Sequence, residues 1–241
     1  RYNMSTFERF AFLTYETDNG YSMPYALSLP DAYDPAKSYP LVFFLHGAGE
    51  RGRDKSALLR HCIREFFETR PEYFTSAIVL CPQCPDDEQW VDASWLEGTY
   101  STRAVPESRA MRTAWAIFEK ITAEYTVDRS RIYAVGLSMG GYGTWDVLAR
   151  HGEVFAAGIP LCGGGDPEMA DVLREIPIWT WHSRDDAVLF SGTADTVDAI
   201  RKAGGTKINF TDLNGFGHNV WHAASASGPV LDWLFAQRKN D

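Results

Sequence analysis

The stretch Arg131–Trp145, "RIYAVGLSMGGYGTW", joins two structural patterns across one short turn. "RIYAV" is an apolar, β-branched and aromatic run that reads as a buried strand. "MGGYGTWDVLA" opens a helical pattern. Between them, Gly136-Leu137-Ser138-Met139-Gly140 fits G-x-S-x-G, with Gly141 following. A sharp strand-to-helix turn needs small residues on both sides, because its backbone is strained and the two elements approach closely. Ser138 is thereby placed at the carboxyl end of a strand. It also lies beside a helix N-terminus, whose free N–H groups and positive dipole end favour developing negative charge. Ser138 is the candidate nucleophile.

The flanking chain predicts the frame around this turn. "FAFLTYE" and "YSMPYALSLP" read as an opening antiparallel strand pair, and "DAYDPAKSYP" as a turn-rich connection. "LVFFLHG", "SAIVLCP", "RIYAVGLS", "AAGIPLCG", "PIWTWHS" and "INFTDLNG" carry the signature of strands buried on both faces. Helical patterns lie between them. In "ESRAMRTAWAIFEKITAEY", Met111, Ala114, Ile117, Phe118, Ile121 and Tyr125 recur at helical spacing. The others are "SALLRHCIREFFE", "YGTWDVLARHG", "GTADTVDAIRKAGG" and "GPVLDWLFAQR". Strands alternating with helices predict an α/β fold: a doubly wound, mostly parallel sheet. The 241 residues suit a single domain spanning 1–241. In such a sheet, chemistry sits beyond the carboxyl ends of the strands.

A hydrophobic fraction of 45% is ordinary for a globular chain, and the net charge of −9 with no basic stripe argues against a nucleic-acid partner. No apolar run approaches the roughly 18 residues of a membrane span, so no membrane partner is expected. The opening "RYNMSTFERF" lacks a secretory-signal pattern, which leaves localisation open between the cytoplasm and secretion after processing. Oligomeric state is also left open. Cys81 and Cys84 form a C-x-x-C, yet no further ligands have matching spacing, and Pro82 and Pro85 suit a strand running into a loop better than a redox helix. No metal and no cofactor is expected.

A serine hydroxyl needs a base. Of six histidines, His61 and His151 fall in helical patterns and read as surface residues. His46 and His182 end strands. His218 sits in "LNGFGHNVW", a glycine-rich loop after the last strand, from which a ring can swing over the turn; it is the preferred base, with His222 and His182 as rivals. A carboxylate must orient that base. "WTWHSRDDAVLF" places an acidic pair after a strand, and Asp186 is preferred over Asp185. Nucleophile, acid and base then follow in the order Ser138, Asp186, His218, as in α/β-hydrolases. The oxyanion donors are expected to be the N–H of Met139 and one from Ala48 or Gly49.

These residues resemble a known group. The segments "YALSLPDAYDPAKSYPLVFFLHGAGERG", "CPQCPDDEQW", "VDRSRIYAVGLSMGGYGTW", "HSRDDAV" and "GFGHNVW" are similar to the small single-domain esterases of the α/β-hydrolase superfamily. That group is described variously as phospholipase/carboxylesterase-like, feruloyl-esterase-like or polyhydroxybutyrate-depolymerase-like. The resemblance implies an α/β-hydrolase fold. Its H-x-x-x-D spacing favours Asp186, makes His46 of the His46-Gly47 dipeptide structural, selects Ala48 as the second donor, and has Glu50 and Arg51 brace the loop. Two positions depart from the group: His182-Ser183 replaces its usual His-Gly, and Val188-Leu189-Phe190 replaces a segment that usually holds proline.

Only "GGDPEMADVLREI" separates "AAGIPLCG" from the next strand, which is room for a short helix and no large cap domain. An open site for soluble, accessible esters is expected: short-acyl or cinnamoyl, including carbohydrate-linked ones. Among eight tryptophans, Trp90, Trp95, Trp181 and Trp221 fall near strand ends or loops where aromatic walls would suit such groups. Gly49, Trp181 and Trp221 are the expected substrate contacts. The rival functions are a prolyl-oligopeptidase-type peptidase, an acyltransferase, and a binding module without catalysis. A small-molecule ester is the expected partner.

Overall fold

The computed structural model describes residues 4–240. Eight strands form one sheet: β1 (Ala11–Glu16), β2 (Ser22–Ser28), β3 (Tyr39–Leu45), β4 (Ile78–Pro82), β5 (Val127–Leu137), β6 (Ala157–Leu161), β7 (Ile178–Ser183) and β8 (Ile208–Leu213). Their spatial order is β1-β2-β4-β3-β5-β6-β7-β8. β2 pairs antiparallel with both β1 and β4, and every other neighbouring pair is parallel. The chain leaves β3 for β4 on one side and returns to β5 on the other. The connections therefore reverse beside β3, and a crevice opens beyond the carboxyl ends of β3 and β5. Ser138 and the Gly47–Gly49 turn follow those two strands.

Alternation along the central strands feeds two cores. Leu41, Phe43 and Leu45 face the helices Arg109–Glu124, Met139–Arg150 and Ser191–Lys202. Val42 and Phe44 face Ile63–Thr69, Trp221–Ser225 and Gly228–Ala236. Met111, Ala114, Ile117, Phe118 and Ile121 are all buried, as their spacing predicts. Two short helical turns, Pro167–Met169 and Ala170–Leu173, fill the segment between β6 and β7. Among the described residues, no helix is long and apolar enough to cross a membrane.

Two readings need correction. "SALLRHCIREFFE" is not one helix but two, Lys55–Leu58 and Ile63–Thr69, broken where Cys62 takes φ 69°. Cys62 is fully buried at the break, among the residues packed against the Trp221–Ser225 helix. Periodicity cannot signal such a break, because a non-glycine residue at positive φ has no local signature. His151 is not a simple surface residue either. Its ring stacks on Trp115 at 4.0 Å, and Nε2 lies 2.8 Å from Glu107 Oε2. The four cysteines are buried free thiols.

Candidate active site

Ser138 takes φ 56° and ψ −117°, a strained conformation for a residue with a side chain. Its own N–H is tied to Leu161 O on β6 at 2.8 Å. The glycines explain how the turn closes. A Cβ on Gly140 would lie 1.9 Å from Leu45 O, and one on Gly136 would lie 2.2 Å from Gly140 O. Strand and helix thus meet at backbone distance, and the turn projects Ser138 into the crevice. Met139 is the first helical residue, so no preceding turn supplies an acceptor for its N–H.

The structure brings three distant residues together. Ser138 Oγ lies 2.7 Å from His218 Nε2, and His218 Nδ1 lies 2.9 Å from Asp186 Oδ2. A carboxylate oxygen accepts, so Nδ1 carries the hydrogen, and Nε2 is left to accept from the serine hydroxyl. The His218 side chain is 35% exposed, whereas that of Asp186 is fully buried.

Asp186 has further neighbours. Val188 N–H donates to its Oδ1 at 2.8 Å. His182 Nε2 lies 3.3 Å from Oδ2 and 2.9 Å from Val188 O. Neither oxygen carries a hydrogen, so His182 Nε2 must be the protonated nitrogen; its hydrogen bond goes to Val188 O, with the carboxylate close beside it. Burial alone would raise the Asp186 pKa. The N–H groups of His182 and His218 outweigh it and leave the carboxyl below its ordinary value. The buried Cys162 sulfur completes the surroundings, within 4.8 Å of the nearest Asp186 and His218 ligand atoms. Burial, with Asp186 nearby, pushes that thiol well up, so it stays neutral.

The rival residues lie elsewhere. Asp185 does not meet His218; its Oδ1 accepts from Ser183 Oγ and from the N–H groups of Gly215 and Gly217. His222 Nδ1 faces Glu65 Oε1 at 3.2 Å. His182 is fully buried on the far side of Asp186, with Nδ1 2.7 Å from Thr193 Oγ1. Its bracing of the acid escaped the sequence reading, although four-residue spacing from a strand-end histidine was the available signal.

His46 organises the second wall. Cys84 N–H donates to its Nε2 at 2.9 Å, so the hydrogen sits on Nδ1 and donates to Gly47 O at 2.6 Å. Burial lowers the His46 pKa to about 4 and keeps it neutral. Glu50 Oε1 accepts from Gly47 N–H at 3.1 Å, and Arg51 Nε donates to Ala48 O at 2.9 Å. These bonds set the turn carrying Ala48. A Cβ on Gly49 would meet nothing within 4 Å, so that position faces open space.

The tryptophans divide. Trp221 is half-buried, with its ring edge-on to His218 at 5.2 Å and 5.4 Å from His61. Trp181 packs into the apolar cluster on the Trp221–Ser225 side of the sheet, 6.4 Å from Trp179. Trp90 is no wall of an open site: it is fully buried, and its Nε1–H donates to His46 O at 3.0 Å. Trp95 is half-buried against the other core.

With this geometry in place, known proteins can be compared. The prolyl oligopeptidase family profile matches residues 110–188, which takes in the Ser138 turn and Asp186 but not His218. A probable feruloyl esterase C of Aspergillus terreus is 26% identical over 152 residues, covering 63% of this chain and 50% of that protein. A bifunctional acetylxylan esterase/xylanase of Neocallimastix patriciarum is 29% identical over 98 residues, 40% of this chain and 13% of that protein. The chain thus spans half or less of the length of these curated relatives. Among solved structures, a thermostable esterase superposes with a TM-score of 0.85 at 32% identity, over 97% of this chain and 64% of that one. The feruloyl esterase module of Clostridium thermocellum, solved with sinapinate, shares the fold at 16% identity and a TM-score of 0.66, over 97% of this chain and 90% of that one. The chain has the α/β-hydrolase fold and is similar in sequence and fold to esterases.

Proposed function

We propose that the chain is a serine esterase that hydrolyses carboxylic esters through an acyl-enzyme. The observation carrying this reading is the continuous hydrogen-bonded series from Ser138 Oγ through His218 to Asp186 at the crevice beside β3 and β5. Ser138 attacks the ester carbonyl while His218 Nε2 takes the hydroxyl proton. Asp186 holds the ring in the required tautomer and stabilises the imidazolium. The N–H groups of Met139 and Ala48 receive the oxyanion. His218 then protonates the leaving alcohol, water replaces it, and the same base activates that water to release the acid.

Two features support accessible, bulky esters. The base is partly exposed without any movement, and the β6–β7 connection is a pair of short helical turns. The half-buried Trp221 ring beside His218 suits an aromatic acyl group. The feruloyl esterases among the relatives carry the same implication in their names, so cinnamoyl esters, including carbohydrate-linked ones, lead over the short acyl group named for the acetylxylan esterase.

A fluorophosphonate probe, with peptide mapping of the adduct, tests the nucleophile. A substrate panel of methyl ferulate, p-nitrophenyl esters of increasing acyl length, acetylated sugars and a prolyl p-nitroanilide tests the class. Labelling at Ser138 with turnover of methyl ferulate is the expected outcome. An unlabelled Ser138 sinks the esterase reading, and cleavage of the anilide in preference to esters replaces it with a peptidase.

A further inference from the structure

Asp185 sits beside the acid yet serves a different partner. Its Oδ1 accepts from the N–H groups of Gly215 at 3.0 Å and Gly217 at 3.1 Å, and from the Ser183 hydroxyl at 2.5 Å. Ser183 Oγ in turn accepts from Phe216 N–H at 3.1 Å. Three consecutive backbone N–H groups therefore converge on the end of β7. Such a concave nest binds anions, and here its occupant is the chain's own carboxylate. Gly215 at φ 88° and Gly217 at φ 59° make the curl possible, since side chains are disfavoured there.

Little else restrains this loop. A Cβ on Gly215 or Gly217 would meet nothing within 4 Å, and Phe216 is 49% exposed. The chain is anchored before the loop, where Arg184 N–H donates to Leu213 O at 2.8 Å, and after it at the fully buried Val220. Between those anchors lies His218, one residue beyond the nest. Its ring must stay within hydrogen-bond reach of both Ser138 and Asp186.

We propose that Ser183 and Asp185 are positioning residues: together they clamp the Gly215–Gly217 backbone so that His218 remains aligned with Ser138. The Ser183 hydroxyl is the bridge, giving its one hydrogen to Asp185 and its lone pair to Phe216. The inference rests on the proposed roles of Ser138 and His218.

The test compares wild type, Asp185→Ala, Asp185→Asn and Ser183→Gly, each shown to be folded by circular dichroism and thermal melting. Amide hydrogen exchange reads the clamp directly. In Asp185→Ala, exchange at Gly215, Phe216 and Gly217 should quicken at least about tenfold, as local opening becomes easier. With p-nitrophenyl acetate, kcat should fall about 10- to 100-fold with KM little changed, the mark of a misplaced base rather than lost binding. Asp185→Asn keeps an acceptor oxygen and should recover part of both effects. Ser183→Gly should free Phe216 more than its neighbours. A folded Asp185→Ala variant with unchanged exchange overturns the clamp, and faster exchange with unchanged kcat overturns its positioning role. The esterase reading fails separately, if the wild type neither reacts with fluorophosphonate at Ser138 nor turns over the ester. The exchange data would still decide the clamp.

Discussion

At the scale of single residues, the site depends on hydrogen counting. Only one arrangement satisfies every atom: Asp186 accepts, His218 donates from Nδ1 and accepts at Nε2, and Ser138 donates. Ser138→Ala should lower kcat about 10⁴-fold or more while leaving the melting temperature near wild type or above it, because the strained serine contributes no packing. Residual activity close to wild type would place the nucleophile elsewhere. Asp186→Asn should cost about 10⁴-fold in kcat, because the amide forces the wrong imidazole tautomer. Asp185→Asn, with its acceptor oxygen retained at Gly215 and Gly217, should cost no more than about tenfold by the same kinetic measure. A loss in Asp185→Asn greater than that in Asp186→Asn would mean that the acid has been misassigned. The candidate nucleophile was legible in the chain because the turn that carries it has local requirements: a strand, glycines and a helix within fifteen letters. The division of labour between two adjacent aspartates was not. Neighbouring side chains at a turn diverge, and only the fold says which one meets the distant loop.

At the scale of elements, the strand–turn–helix unit rests on backbone contact. The Met139–Arg150 helix begins so close to β3 that Gly140 has no room for a methyl group against Leu45 O. Gly140→Ala should therefore destabilise the protein by roughly 3 kcal/mol or more, since the obstruction is backbone and cannot rotate away. Chemical denaturation would measure it, and a loss below about 1 kcal/mol would show that helix and strand can separate cheaply. Strand and helix identities were legible from periodicity, because buried parallel strands and amphipathic helices carry different repeats. The broken helix at Cys62 was not, since a non-glycine residue at positive φ leaves no mark in the apolar repeat.

At the scale of the whole molecule, the fold joins segments that the chain keeps far apart, and His46 is one such joint. It directly follows β3 and receives a hydrogen bond from Cys84 in the loop after β4. Its pKa is lowered by burial from 6.5 to about 4, so the unfolded chain binds the proton more readily than the folded one. Stability is then complete above about pH 6.5 and declines as pH falls toward 4, by up to about 3 kcal/mol from this residue. Urea denaturation between pH 7 and pH 4, wild type against His46→Gln, should show a steeper acid decline in the wild type; parallel curves would remove His46 as the cause. The short β6–β7 connection further predicts that hydrolysis of a sparingly soluble ester rises smoothly through its solubility limit, without the jump of an enzyme that opens on an interface. By itself, the sequence determined the layered α/β plan, the strand–turn–helix unit around Ser138 and the order in which the candidate site residues occur, because each is written in local periodicity or in linear order. Only the tertiary structure decided that the Asp186 carboxylate lies between His182 and His218, that Asp185 accepts hydrogen bonds from the loop before His218, and that Trp90 is buried while Trp221 stands beside His218. Those outcomes depend on side-chain direction and, for the bonds of Asp185 and Asp186 to the His218 loop, on contacts across 30 or more positions of chain, which no local pattern encodes.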